Sequence, residues 1–134
     1  MNKQNYQTMA EIAQIVDVPV ATLRSWFTSN YFTLASDDCD ASPGGVRRLS
    51  PRSVLAIDIA VRFIKLGVPI KRAVDAGNTF ARTGHSSSDA LIVVPADETR
   101  PCSILSVRKN FRSLDILTNI GDGATVIRVK LRNQ

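Results

Sequence analysis

Two patterns of apolar residues divide the chain. Up to about residue 82, apolar positions recur with the spacing of helices, whereas β-branched runs follow towards the C-terminus. Between these regions, residues 83–89 contain a glycine and three consecutive serines, a composition typical of a linker. The sequence therefore predicts a helical N-terminal domain at residues 1–82, a linker at 83–89 and a small β-rich domain at 90–134.

The start of the first helix is predicted by a capping box. Thr8 is followed three residues later by Glu11, so the hydroxyl and the carboxylate can each accept from a backbone N–H group at the helix start. Pro19 separates this helix from a second one at about residues 19–28, because proline suits only the first turn of a helix. Two short helices joined by a tight turn are a candidate helix-turn-helix. The apolar residues available for packing are Met9, Ile12, Ala13 and Val16 in the first helix and Val20, Leu23 and Phe27 in the second.

The rest of the first domain is predicted as loop, a short extended segment and two more helices. Residues 29–45 show no sustained period and are predicted as loop, and residues 46–49 as extended. Ser50-Pro51 places a capping hydroxyl before a proline at the first helical position, which predicts a third helix over about 51–66. Its apolar residues cover much of its circumference, as expected of a central helix. A fourth helix is predicted over about 69–82.

The C-terminal region is predicted to be rich in strands. Strands are expected at residues 91–94, 102–107 and 125–131, with a short helix or turn around 112–119. Two or three strands leave open edges and bury little surface alone. Pairing with a second copy would relieve both problems, so we expect residues 90–134 to form a homodimer.

Four motifs follow one another in the N-terminal domain. They are Y-x-T-x-x-E-I-A at residues 6–13, V-P-V-A-T-L-R at 18–24, G-V-R-R-L-S at 45–50 and I-K-L-G-V-P-I at 64–70. Their order and spacing over residues 6–80 resemble the DNA-binding domain of the MerR-type transcription regulators. In that family a helix-turn-helix precedes a wing of the form G-Y-R-R-Y-S and a helix pair joined at an L-G turn. The resemblance implies that the second helix enters the major groove of DNA and that the wing follows the DNA backbone.

The predicted fold class is therefore α+β. We expect an N-terminal winged helix-turn-helix of about four helices and a short β wing, followed by a small β-rich C-terminal oligomerisation region. The long dimerisation helix of typical MerR-type regulators has no counterpart in this chain, which lacks an apolar heptad seam after the fourth helix.

The second helix supplies most of the candidate DNA contacts. Val20 and Ala21 could touch a thymine methyl group, and Thr22 a base or a phosphate. Arg24 matches the arginine of the family motif L-R-Y-Y, which implies a phosphate contact. Ser25-Trp26 replaces the paired tyrosines, and Trp26 is equally compatible with a role as a core anchor.

Two pairs of cations complete the candidate interface. Neighbouring residues of a strand point to opposite faces, so one of Arg47 and Arg48 could reach DNA while the other pairs with protein. Lys71 and Arg72 could grip phosphate or could be solvated charges. The candidate DNA-binding residues are Val20, Ala21, Thr22, Arg24, Ser25, Trp26, Arg47, Arg48, Lys71 and Arg72.

The net charge favours an anionic partner, and the sequence offers no motif typical of catalysis or of a membrane span. The chain has 134 residues and a net charge of +5, with arginine the main cation, and arginine matches phosphate geometry well. No apolar run reaches the roughly 18 to 20 residues of a membrane span. Cys39 and Cys102 lie far apart, which excludes a zinc pair or a C-x-x-C motif, and His85 has no partner for catalysis. We expect no cofactor, no metal and no enzymatic activity.

These observations predict a sequence-specific, dimeric DNA-binding transcription regulator, bacterial or phage-borne. We expect it in the cytoplasm, associated with the nucleoid, with double-stranded DNA as its partner and RNA polymerase or another regulator as a candidate further partner. Two alternatives stay open. One is an excisionase-like or architectural factor that coats tandem sites and bends DNA. The other is a regulator controlled by a ligand or a protein at its C-terminal domain.

Overall fold

The computed structural model describes residues 5–32, 39–41, 47–83, 90–106 and 123–129. Over these residues the protein is mixed α+β, with four helices and two small antiparallel sheets. The elements in chain order are β1 (Gln7–Thr8), α1 (Met9–Val16), α2 (Val20–Thr28), β2 (Cys39–Ala41), β3 (Arg47–Leu49), α3 (Pro51–Lys65), α4 (Ile70–Thr83), β4 (Ala90–Val94), β5 (Ser103–Ser106) and β6 (Thr125–Val129).

The capping box predicted for α1 is confirmed. The backbone N–H of Glu11 donates to Thr8 Oγ1 over 3.2 Å, and the backbone N–H of Thr8 donates to Glu11 Oε1 over 2.9 Å. The hydrogen bond from the Thr8 backbone is the main reason that the pKa of Glu11 lies below its ordinary value. The predicted apolar face of α1 is buried in the core, as its four residues Met9, Ile12, Ala13 and Val16 all are.

The first sheet corrects the prediction of a continuous loop. That prediction for residues 29–45 is wrong at Cys39–Ala41, where β2 pairs antiparallel with β3. The strand order is β1-β3-β2, and Leu49 of the central strand is fully buried. The short segment C-D-A has neither an apolar period nor a strong strand propensity, so its pairing with β3 decides its conformation.

Helices α3 and α4 form the centre of the molecule. α3 begins as predicted, with Ser50 Oγ accepting from the backbone N–H of Ser53 over 3.2 Å. The chain leaves α3 through Gly67, whose φ of 96° is a conformation that glycine adopts without strain. The two helices then approach so closely that a Cβ atom on Gly77 would overlap the carbonyl oxygen of Ala56.

The C-terminal sheet packs against α4. Its strand order is β5-β4-β6, and both outer strands run antiparallel to β4. Ala90, Ile92 and Val94 of β4 are buried in the same apolar cluster as Phe80 of α4, so the helices and this sheet share one hydrophobic core. The predicted strands begin or end within two residues of the observed ones. Of the linker predicted at 83–89, Thr83 belongs to α4, and residues 84–89 lie outside the described residues, as does the helix or turn predicted around 112–119.

Candidate nucleic-acid interface

The exposed face of α2 is a continuous stripe. Ala21, Arg24, Ser25 and Thr28 are all exposed and follow the spacing i, i+3, i+4, i+7 that lines up along one side of a helix. Leu23 points away from this stripe and is fully buried. The remaining candidates, Val20, Thr22 and Trp26, are half-buried between the two sides.

The N-terminus of α2 faces outwards without a side-chain cap. Pro19 occupies the N-cap position and makes no capping hydrogen bond with its side chain. Backbone N–H groups and the helix dipole make such an end favourable for an anion. Ala21, one residue into the helix, is exposed beside it.

Trp26 is engaged with the protein interior. Its ring centroid lies 6.4 Å from that of Phe32, and Phe27 stacks on the same ring at 5.2 Å. Phe32 is buried, and Trp26 packs against the core cluster. These contacts favour the core-anchor role for Trp26, the alternative that the sequence left open.

Two clasps hold the elements beside these residues, each formed by one cation that donates hydrogen bonds to two or three backbone carbonyl oxygens. The sequence did not predict either of them. In the first, Lys65 Nζ donates to the carbonyl oxygens of Val16 and Asp17, each over 3.1 Å. Asp17 adopts a left-handed conformation with φ of 58°, and its N–H and that of Val18 both bond to the Ala13 carbonyl. The cation thus lies at the negative end of α1, where it stabilises the turn into α2. The only feature of the sequence that could have indicated this contact is a lysine in the last turn of α3.

In the second clasp, Arg72 binds the loop between β4 and β5. Its guanidinium donates to the carbonyl oxygens of Pro95 and Arg100, each over 2.7 Å, and to that of Asp97 over 3.3 Å. These bonds direct the charge of Arg72 towards the C-terminal sheet. Lys71, the neighbouring candidate, is exposed.

Arg48 is the candidate that β3 contributes to the surface. It is exposed in β3, opposite Thr8 of β1 and Asp40 of β2. Its positive charge is the smallest of the causes that lower the pKa of Glu11. The backbone of Arg47 pairs with Ala41, while its side chain is outside the described part of the structure.

The structure joins some candidates and separates others. α1 contacts both α2 and β3, so the stripe on α2 and Arg48 are attached to one helix. Arg72 is instead held against residues 95–100 of the C-terminal region.

Two clefts among the described residues differ in size and in charge. A cleft of about 180 Å³ between the α3–α4 turn and the C-terminal sheet includes Arg72 and Glu98, and it is smaller than the roughly 300–1,000 Å³ of typical ligand pockets. A larger open groove of about 630 Å³ runs beside Glu11 and Asp58. The negative charges of these two carboxylates would repel a phosphate group. Within the ranges that the structure describes, no three His, Cys, Asp or Glu residues come close enough to hold a metal ion.

Cys102 lies against α4 as a protonated thiol. Its Sγ is 3.4 Å from Asp75 Oδ2, and burial together with this carboxylate raises the pKa of Cys102. A thiol with a raised pKa is a poor nucleophile and a poor metal ligand at neutral pH.

None of the helices in the described part of the chain has the length and apolar character needed to cross a bilayer. No protein-family model matches the chain, and no curated protein matches it significantly. The resemblance to MerR-type regulators therefore stays a prediction.

Proposed function

We propose that this protein is a sequence-specific, dimeric DNA-binding regulator of transcription, with α2 in the major groove and β3 along the DNA backbone. The observation that carries the proposal is the exposed stripe of α2, because Ala21, Arg24 and Ser25 lie side by side on a helix anchored from behind by Leu23. A helix anchored on one side and exposed on the other fits the major groove, which is about 12 Å wide.

The residues of this stripe have the chemistry that DNA recognition uses. The methyl group of Ala21 suits a thymine methyl group, and the hydroxyl of Ser25 suits a base edge or a phosphate. Arg24 supplies a cation in the next turn of the helix, and the uncapped N-terminus adds the attraction of the helix dipole for phosphate. Arg48, exposed on β3, would add a second backbone contact.

The supporting contacts would keep this surface in one geometry. Lys65 ties the end of α1 to α3, and Trp26 and Phe27 pack with Phe32 behind α2. Side chains that read bases must be held rigidly, since small displacements break base contacts. The same contacts give Trp26 a positioning role, so we leave its ring out of the proposed set of direct DNA contacts.

Selection of bound DNA from a random pool tests the proposal. With the full chain, we expect enrichment of a two-fold symmetric motif whose half-sites lie about one helical turn, or a multiple of it, apart. Tandem direct repeats would instead favour the architectural alternative. Recovery of DNA with no enriched motif, or no recovery at low salt, would contradict sequence-specific binding.

A further inference from the structure

The C-terminal sheet ends in two outer strands of different character. Among the residues that the structure describes, β4 lies between β5 and β6, so each outer strand is paired on one side only. β5 contains two serines and closely follows Pro101, and proline beside an edge strand is a common protection against pairing with another chain. β6 has the sequence T-V-I-R-V, with no proline or glycine and with β-branched residues at all positions except Arg128. The edge of β6 is therefore the better template for a further strand.

We propose that β6 pairs antiparallel with β6 of a second copy, about a two-fold axis at Ile127. This inference rests on the dimer that forms part of the proposed function, and it names the surface and register of that dimer. It does not depend on DNA binding. Because Ile127 is the middle residue of β6, this register pairs all five residues of the strand.

The charge pattern of β6 favours a second copy in this register. With Ile127 opposite itself, Arg128 of one copy lies opposite Val126 of the other, and the two positive charges do not face each other. A shift of the axis to Arg128 would place two arginines directly opposite, which is destabilising. A cation opposite an apolar residue also lets the arginine stem pack over the valine.

The surroundings of Val126 point to an open edge on this side of the sheet. Its side chain is 39% exposed although valine is apolar, and Arg128 on the same face is exposed as well. Ile127, which points to the opposite face, packs against the core cluster with β4. A second strand beside β6 would cover part of Val126 and leave the packing of Ile127 unchanged.

This pairing has a consequence for the rest of the molecule. A two-fold axis between antiparallel neighbours stands perpendicular to the sheet, so the two three-stranded sheets would form one six-stranded sheet of ordinary size. α4 packs on one face of β4, and the symmetry places both copies of α4 on the same face. The two helical units would then lie on one side of the sheet.

Residue 126 is a clean probe of this interface. Its neighbour on β4 is Val93, and the neighbour of Arg128 on β4 is Leu91, so no charged residue of β4 lies opposite either position. Position 126 also lies two residues from Arg128 of its own chain on the same face, so the sign of a new charge changes the stability of each copy. This effect is present in monomer and dimer alike and therefore largely cancels from the dimer dissociation constant. Across the proposed interface, in contrast, the sign matters because Arg128 of the second copy lies opposite.

The experiment measures the dimer dissociation constant of the full chain by sedimentation equilibrium, at low salt and without DNA. Val126→Arg creates two like-charge pairs per dimer and should weaken dimerisation about tenfold. Val126→Glu creates two opposite-charge pairs and should dimerise as tightly as the wild type or more tightly. The double variant Val126→Arg with Arg128→Glu again places opposite charges across the interface, in exchanged positions, and should restore dimerisation. Circular dichroism confirms that each variant is folded.

Two results would overturn the inference. One is a wild-type chain that stays monomeric at every concentration, and the other is an equal effect of arginine and glutamate at position 126. DNA binding, measured separately, keeps the two proposals apart. A dimer that follows the charge series but binds no DNA supports the interface and contradicts the DNA proposal. If the protein binds DNA as a dimer, but its dimer dissociation constant does not depend on the sign of the charge at position 126, only the proposed interface is contradicted.

Discussion

Lys65 Nζ donates a hydrogen bond to the carbonyl oxygen of Val16 over 3.1 Å, across 49 positions of the chain. A second bond of 3.1 Å reaches the carbonyl of Asp17, and the Asp17 carboxylate lies 3.9 Å away. The turn from α1 into α2 is thus held from α3. Because α2 carries the exposed stripe, Lys65 positions the proposed DNA-reading surface without being part of it.

We expect Lys65→Met to lower the free energy of unfolding by about 1 kcal/mol, since half of the side chain is exposed and solvent screens its charge. The methionine keeps the apolar stem and loses both hydrogen bonds. DNA affinity should fall as well, because the turn before α2 loses its support. Urea denaturation measures the first effect. Lys71→Met, at an exposed position of α4, is the matched control for stability, and an equal loss of unfolding free energy in the two variants would contradict the role of Lys65.

Arg24 and Arg48 should contribute to the salt dependence of DNA binding. Each phosphate contact adds about 0.9 to the slope of log affinity against log salt. Because each substitution removes one contact from both copies of the proposed dimer, Arg24→Ala and Arg48→Ala should each shallow the slope by about 2. Arg62→Ala removes the same charge from an exposed arginine that is paired with Asp58 at 3.2 Å, and it should leave the slope unchanged. Titration of binding against salt decides the matter. If all three variants had the same slope, the slope would depend on net charge alone. That result would contradict the assignment of Arg24 and Arg48 to phosphate contacts.

Arg72 should act on stability through its three carbonyl contacts. Arg72→Lys keeps the charge but cannot reproduce the three-pronged geometry, so we expect both Arg72→Lys and Arg72→Ala to lower the free energy of unfolding by about 2 kcal/mol. DNA affinity well below the unfolding temperature should change little in either variant. If Arg72→Lys is as stable as the wild type and Arg72→Ala loses DNA affinity, the side chain contacts phosphate instead.

Gly77→Ala should destabilise the protein, although replacing glycine by alanine usually stabilises a helix. Glycine to alanine within a helix normally gains up to about 1 kcal/mol. At Gly77 the added Cβ would overlap the backbone oxygen of Ala56, so α3 and α4 must separate, and we expect a loss of about 3 kcal/mol. Asn78→Ala, at the next position of α4, is the control and should be neutral or stabilising. Thermal denaturation of the two variants in parallel provides the comparison, and a stabilised Gly77→Ala would show that the helices have room.

Much of the local structure could be predicted because its causes are local. The capping box at Thr8 and Glu11 and the Ser50-Pro51 start of α3 each depend on residues within one helical turn. The strand at Cys39–Ala41 escaped prediction because it forms only through pairing with β3, and a three-residue segment has no period of its own.

Of the six residues that the sequence named as candidate contacts on α2, three are exposed and three are half-buried: Ala21, Arg24 and Ser25 are exposed, and Val20, Thr22 and Trp26 are half-buried. Helical spacing alone separates Ala21, Arg24 and Ser25 from Leu23, since a buried anchor turns the other side of the helix outwards. Spacing could not distinguish Arg72, which holds a loop of the C-terminal region, from a solvated cation. That contact joins residues 23 to 28 positions apart, and nothing in the local sequence marks its partners, which are backbone carbonyls.

The sequence by itself determined where the helices begin and which of their faces are apolar, because capping, proline geometry and periodicity act within a few residues. Only the tertiary structure decided how these elements meet. The clasp of Lys65 on α1, the contact of Gly77 with α3 and the shared core of α4 and β4 all join distant residues. Such contacts depend on shape and on backbone groups that every residue possesses, and so they leave no distinctive mark in the order of the amino acids.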